Sequence, residues 1–174
     1  TTYDVNPEGK LSKLTTYNCS PGAGARHLVF HNHYKIAYLI CELNSTIEVL
    51  IYDGVGAFEK MQVISTLPEG FNDFNGTAAI RLSQDGKYLY ASNRGHDSIV
   101  VYTILADGSL ELLEFVPTNG KTPRDFILSP DQEFLIAVHQ DSDNATVFKR
   151  NPETGRLAEL SNDFHVPEAV CVTF

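Results

Sequence analysis

Four charged side chains stand at matched places in this sequence, and together they have the chemistry to bind an anion and activate a water. Arg26, Arg94 and Arg124 carry planar guanidinium groups, which hold phosphate or carboxylate through paired donors. Glu42 could orient or deprotonate a water, with the arginines stabilising the oxyanion that forms when a carbonyl is attacked. Adjacent arginines favour the ionised carboxylate, which keeps it available as a base but makes it a weak one. The same residues also suit a plainer role, as salt bridges tying neighbouring structural units together, and the sequence leaves both readings open.

Other polar residues offer less. His27, His31 and His33 cluster, but alternate residues of a strand share a side, and His31 and His33 fall at a turn where solvation is expected; a metal role is disfavoured. His96, Asp97, His139 and Asp141 fall in loops and are read as turn chemistry. Asp73 and Asn75 lie in the long loop from Leu67 to Gly76, which reads either as a cover over a site or as an ordinary connector. Cys41, in an apolar run with no paired histidine, reads as a small buried hydrophobe. No Gly-rich phosphate loop and no nucleophile elbow is present, so no cofactor is called for.

The bulk properties narrow the classes. A hydrophobic share of 43% is that of a globular chain, and its longest apolar runs are far shorter than a membrane span. Thirteen basic against twenty-two acidic residues, a net charge of -9, repel nucleic acid. Three cysteines with no C-x-x-C spacing argue against a disulfide framework or a structural zinc, and a reducing, cytoplasmic setting is expected. The chain opens at Thr1 on what reads as the second half of a strand, as if cut.

The elements that must position these residues are repeats. Tyr3–Leu11, Tyr102–Leu110 and Phe148–Leu157 each read aromatic, polar turn, then Gly-x-Leu; with a weaker copy at Tyr52–Phe58 the glycines fall at 9, 56, 108 and 155. In the same phase, Leu28–Tyr38, Ile80–Tyr90 and Phe126–Ile136 each read as an apolar run, a turn and a second run, the hairpin signature. Four strands every 46 to 52 residues is the size of a propeller blade. We expect an all-β, partial β-propeller: 1–16 as outer strands of a truncated blade, 24–66, 77–118 and 122–160 as whole blades, and 168–174 as an inner strand of a closing blade. In this phase Arg26 matches Ala78 and Arg124, and Glu42 matches Arg94 and Gln140. The start of a first strand and the end of a second lie at one edge of a hairpin, so Arg26, Glu42, Arg94 and Arg124 should converge near the central channel. Unpaired blade edges in such a piece predict self-association.

The stretches Gly24–Phe30, Ala37–Ile47, Leu89–Ile99 (with Ser92-Asn93-Arg94-Gly95) and Thr122–Phe126 resemble the lactonase family of seven-bladed β-propellers, which includes propeller-type 6-phosphogluconolactonase and carboxy-muconate cyclase. The resemblance covers the whole chain and implies about half of a ring, with Val170–Phe174 near the family's C-terminal end. It implies a metal-independent enzyme that opens or closes a lactone, 6-phosphogluconolactone in the pentose phosphate pathway being the first expectation. Another anionic lactone and a non-enzymatic interaction module are the alternatives. The family's Arg, Glu and Arg fall on Arg26, Glu42 and Arg94 as catalytic residues, with Arg124, His27 and Asn93 expected to touch substrate. The family's His belongs to a segment upstream of Arg26 that this sequence does not contain, so the piece alone is expected to be inactive.

Overall fold

Each apolar run in the repeat is rich in β-branched and aromatic residues and is closed by a turn that its own side chains wire. In the computed structural model, which describes all 174 residues, every regular element is a strand. Strands β1 (Thr2–Val5) and β2 (Leu11–Thr15) form a two-stranded sheet. Three four-stranded antiparallel meanders follow. The first holds β3 (Ala25–Phe30), β4 (Ile36–Cys41), β5 (Thr46–Tyr52) and β6 (Phe58–Ser65). The second holds β7 (Gly76–Leu82), β8 (Tyr88–Arg94), β9 (Ser98–Ile104) and β10 (Leu110–Pro117). The third holds β11 (Pro123–Leu128), β12 (Phe134–His139), β13 (Asn144–Arg150) and β14 (Leu157–His165). The first strand of the middle blade, β7, lies against the first strands β3 and β11 on either side, which makes these strands the inner edge of a ring of blades.

The inner hairpin turns show why the repeat carries Ser-x-Asp. Ser83 Oγ donates to Asp85, whose Oδ1 accepts the Lys87 amide at 3.1 Å. Ser129 and Asp131 repeat this wiring, Asp131 Oδ1 accepting the Glu133 amide at 3.0 Å. In the first blade His31 stands in the place of these serines. Its Nδ1 accepts the amides of His33 and Tyr34 at 3.0 and 3.1 Å, so Nε2 carries the proton and donates to Gly86 O of the next blade at 2.9 Å. This corrects the expectation of a solvated His31: the ring is buried and stacks on Tyr34, while His33 is exposed.

The repeated glycine turn is an inter-blade contact. Tyr38 and Tyr90, one repeat apart, donate their hydroxyls to Gly108 O and Gly155 O of the following blade at 3.0 and 2.8 Å. A Cβ on Gly155 (φ +72) would stand 2.3 Å from the Tyr88 ring, and one on Gly108 (φ +85) 2.7 Å from Ile36. Only glycine allows both the left-handed backbone and that approach.

The core lies between blades. Ile36, Tyr38, Ile47 and Val49 of the first whole blade meet Leu89, Val100 and Tyr102 of the second. The alternate residues Tyr88, Tyr90, Ile99 and Val101 meet Phe126, Leu135 and Phe148 of the third. The middle blade is therefore buried on both faces, and β8 has lost the in-out alternation of a half-exposed strand. The first blade's other face, with Leu28, Phe30, Leu39 and Phe58, opens onto an apolar groove beside β1. There Glu48 is wholly buried, accepting from Tyr17 Oη at 2.5 Å and from Ser20 N and Oγ at 2.9 and 2.6 Å.

Two expectations need correction. Residues 168–174 form no strand; no neighbouring strand is present to pair with them, and their amides turn to side chains, Glu168 N to Asp143 Oδ1 at 2.8 Å and Val172 N to Asp125 Oδ2 at 3.2 Å. His139 is not a loop residue but the buried end of β12. Its Nδ1 donates to Asn144 O at 3.0 Å.

Candidate active site

Arg26 and Arg124 reach the inner rim through the same local device. The β3–β4 register steps from Ala25 opposite Cys41 to His27 opposite Ile40, so Arg26 is the extra residue of a bulge. The β11–β12 register steps from Pro123 opposite His139 to Asp125 opposite Val138, which makes Arg124 the extra residue there. A bulge leaves one residue unpaired, bends the strand locally and so re-aims that residue's side chain. Glu42 follows β4, with its amide on Gly24 O at 2.8 Å, and Arg94 ends β8.

Glu42 is clamped between two blades. Its Oε1 pairs closely with Arg94 Nη2 of the next blade, and its Oε2 lies 3.4 Å from Arg26 Nε. Arg94 is fixed further by Nη2 to Thr77 O at 3.1 Å and Nε to Gly76 O at 3.3 Å. The carboxylate is 34% exposed while the two arginines are 19% and 14% exposed, so it remains the accessible member of the trio. Burial lowers the pKa of Arg26; Glu42 opposes this, and Arg94 and Arg124 add to it. Its Nη1 is enclosed without an acceptor, an unmet donor next to the carboxylate. Three arginines around one carboxylate leave the rim positive within an acidic chain.

The remaining sequence-derived residues divide. Arg124 Nη1 reaches Gln140 Oε1 at 3.4 Å and faces a cavity shared with Arg94. His27 is exposed on β3, and partial burial, then Arg26 and Arg81, lower its pKa, favouring a neutral imidazole. Asn93 does not face the rim, which corrects its assignment to substrate. The strand alternation that turns Arg94 toward the rim buries Asn93 against the preceding blade, where its Nδ2 donates to Thr66 O at 2.7 Å and its Oδ1 accepts from Asn75 at 3.2 Å. Asp97 serves the turns, its Oδ1 taking the amides of Gly95 and Thr122 at 3.1 and 2.9 Å. Burial pushes the Cys41 thiol up to about 11, which makes it a poor nucleophile.

Sequence reasoning missed two features beside this rim. Phe74 is 87% exposed at the cavity's edge, and Gly95 (φ +120) lets it sit there, since a Cβ on Gly95 would stand 2.1 Å from Phe74 O. Thr122, in phase with Gly24 (φ +69), holds φ +59, a conformation that a β-branched residue adopts only under constraint. The repeat alignment contained that second signal, a threonine where a glycine belongs.

Blades of four antiparallel strands around an inner rim that carries an arginine–glutamate cluster define a partial β-propeller with a polar central site. The family model described as lactonase, 7-bladed β-propeller matches residues 1–174, and the chain belongs to that family. It is 40% identical to the 6-phosphogluconolactonase of Bacillus subtilis over 96% of this chain and 48% of that protein. The crystal structure of a Lactobacillus plantarum protein superposes with a TM-score of 0.94 at 43% identity, covering 97% of this chain and 50% of that one. The periplasmic gluconolactonase of Pseudomonas aeruginosa superposes with a TM-score of 0.90 at 32% identity, covering 95% and 48%. The chain spans about half the length of the curated relatives it matches.

Proposed function

We propose that the protein of which this chain forms about half is a lactone hydrolase, with 6-phosphogluconolactone as its first candidate substrate. The observation that carries this reading is Glu42 held between Arg26 and Arg94 at an accessible rim. Glu42 takes a proton from water as the water oxygen attacks the lactone carbonyl carbon, and the arginine donors meet the negative charge that develops on the carbonyl oxygen. Collapse of that intermediate breaks the ring C–O bond, and the proton held by Glu42 passes to the departing alkoxide. The Bacillus subtilis relative named 6-phosphogluconolactonase supports the choice of substrate.

A second reading rests on the same pair: Glu42 and Arg94 belong to adjacent blades, so their contact also ties the ring together, as an interaction module would need. Lactone hydrolysis by the full-length protein and its Glu42→Gln variant, with thermal stability measured alongside, separates the two. Loss of turnover with an unchanged melting temperature supports the enzyme. No turnover of any lactone by the unaltered protein, with a lower melting temperature in the variant, supports the module.

A further inference from the structure

Resting on that reading, we propose that the cavity between Phe74 and Arg124 is the subsite for a second anionic group of the substrate, a phosphate or carboxylate remote from the lactone carbonyl. The cavity has a volume of about 380 Å³, within the range of small-molecule sites. Arg124 is the arginine of this rim without a carboxylate partner. Arg26 and Arg94 share Glu42, and Arg81 pairs with Asp125 at 2.8 Å, whereas Arg124 has only the 3.4 Å contact to Gln140. A half-buried cation without a counter-ion is raised in free energy, and an arriving anion relieves that cost.

The cavity adjoins the reacting centre through Arg94, which lines it while Nη2 holds Glu42. A substrate with its carbonyl at Glu42 can therefore extend toward Arg124 without leaving the rim. Asp141 is the one acidic group on the lining; it is exposed and occupied by the Thr122 hydroxyl at 2.5 Å. Arg26, Arg94 and Arg124 stand against two carboxylates, Glu42 and Asp141, which leaves the rim and its cavity with one positive charge in excess. Thr122 is locked by its amide to Asp97 and by the Gln140 amide on its carbonyl at 3.1 Å, which fixes the strand two residues before Arg124. Phe74 supplies an apolar wall with a free aromatic face, suited to the C–H side of a sugar-acid chain.

The test is calorimetric binding of three ligands to the full-length protein and to its Arg124→Gln, Arg124→Lys and Phe74→Ala variants. The ligands are 6-phosphogluconate, glucarate and gluconate, which carry at the remote carbon a phosphoester, a carboxylate and a neutral hydroxyl. Lactone turnover is measured in parallel. Arg124→Gln should weaken the better bound of 6-phosphogluconate and glucarate about tenfold and gluconate less than about twofold, with part of the preference restored in Arg124→Lys. Phe74→Ala, at a residue with nothing packed on it, should fold normally and weaken all three ligands. Preference for 6-phosphogluconate identifies phosphate as the group read, and preference for glucarate identifies carboxylate. Equal weakening of all three ligands by Arg124→Gln, or no preference over gluconate for either ligand with a second anionic group in the unaltered protein, overturns the subsite even if lactones are hydrolysed. Arg124-dependent preference without turnover leaves the subsite standing and removes the hydrolase reading.

Discussion

Glu42 of one blade and Arg94 of the next form a single charge pair at the inner rim, and Arg26 stands 3.4 Å from the other carboxylate oxygen. Replacing Glu42 by glutamine keeps the shape and removes the base. In the full-length protein, lactone turnover should fall by about 100-fold or more, read as initial rates, while the circular dichroism spectrum is unchanged. Rates within a factor of two of the parent would dismiss Glu42 as the base.

Gly95 lies under the Phe74 carbonyl, where a Cβ would stand 2.1 Å from the oxygen. Gly95→Ala should cost about 2 kcal/mol, from the left-handed backbone and the displaced loop together. Urea unfolding measures this as a lower midpoint with the same slope, and an unchanged midpoint would mean that the loop yields freely.

Burial next to β1 makes Glu48 a second test of charge. Burial raises its pKa, but the hydrogen bonds from Ser20 and Tyr17 more than offset this and hold it below the usual carboxylate value. Glu48→Ala leaves those donors unmet and should destabilise the fold by about 3 kcal/mol. Amide exchange at Tyr17–Ser20 should accelerate more than exchange in β8, a local signature that uniform destabilisation would not give.

Stability should also depend on pH through the histidines. Burial lowers the pKa of His139 from the usual 6.5, opposed by its bond to Asn144, and burial likewise lowers His96 and His27. In the unfolded chain these imidazoles take up protons near pH 6.5, whereas in the native chain they do so only at lower pH. Unfolding therefore binds protons in that window, and stability falls as pH drops below about 6.5. Melting temperatures from pH 8 to pH 5 should show the decline, and His139→Gln should flatten part of it. A melting temperature that rises on acidification would refute the assignment.

Repeat phase makes Arg26, Glu42 and Arg94 legible in the sequence, because equal positions in successive blades share a height and radius. The same phase holds the answer for His31, which occupies the place of Ser83 and Ser129; taken alone, a histidine at a turn points to solvent. Asn93 shares a motif with Arg94 but not a direction, since consecutive strand residues face opposite ways. Phe74 is harder to see in the repeat, because its counterparts in phase are Gly22 and Gly120, which have no side chain to compare with it; the sequence marks only its loop, Leu67 to Gly76, as a cover or a connector. Residues 168–174 carry the apolar, β-branched run of a buried strand, but a strand forms only where a partner accepts its ladder of hydrogen bonds.

Each blade packs only on its neighbours, and the middle one is enclosed on both sides. Strands β8 and β9, covered from both sides, should accordingly be among the last to open. The rim inherits this layout: Arg94 ends a strand buried on both faces, whereas Arg26 is the bulged residue of β3, so the two arginines of the charge clamp rest on backbones of unequal regularity.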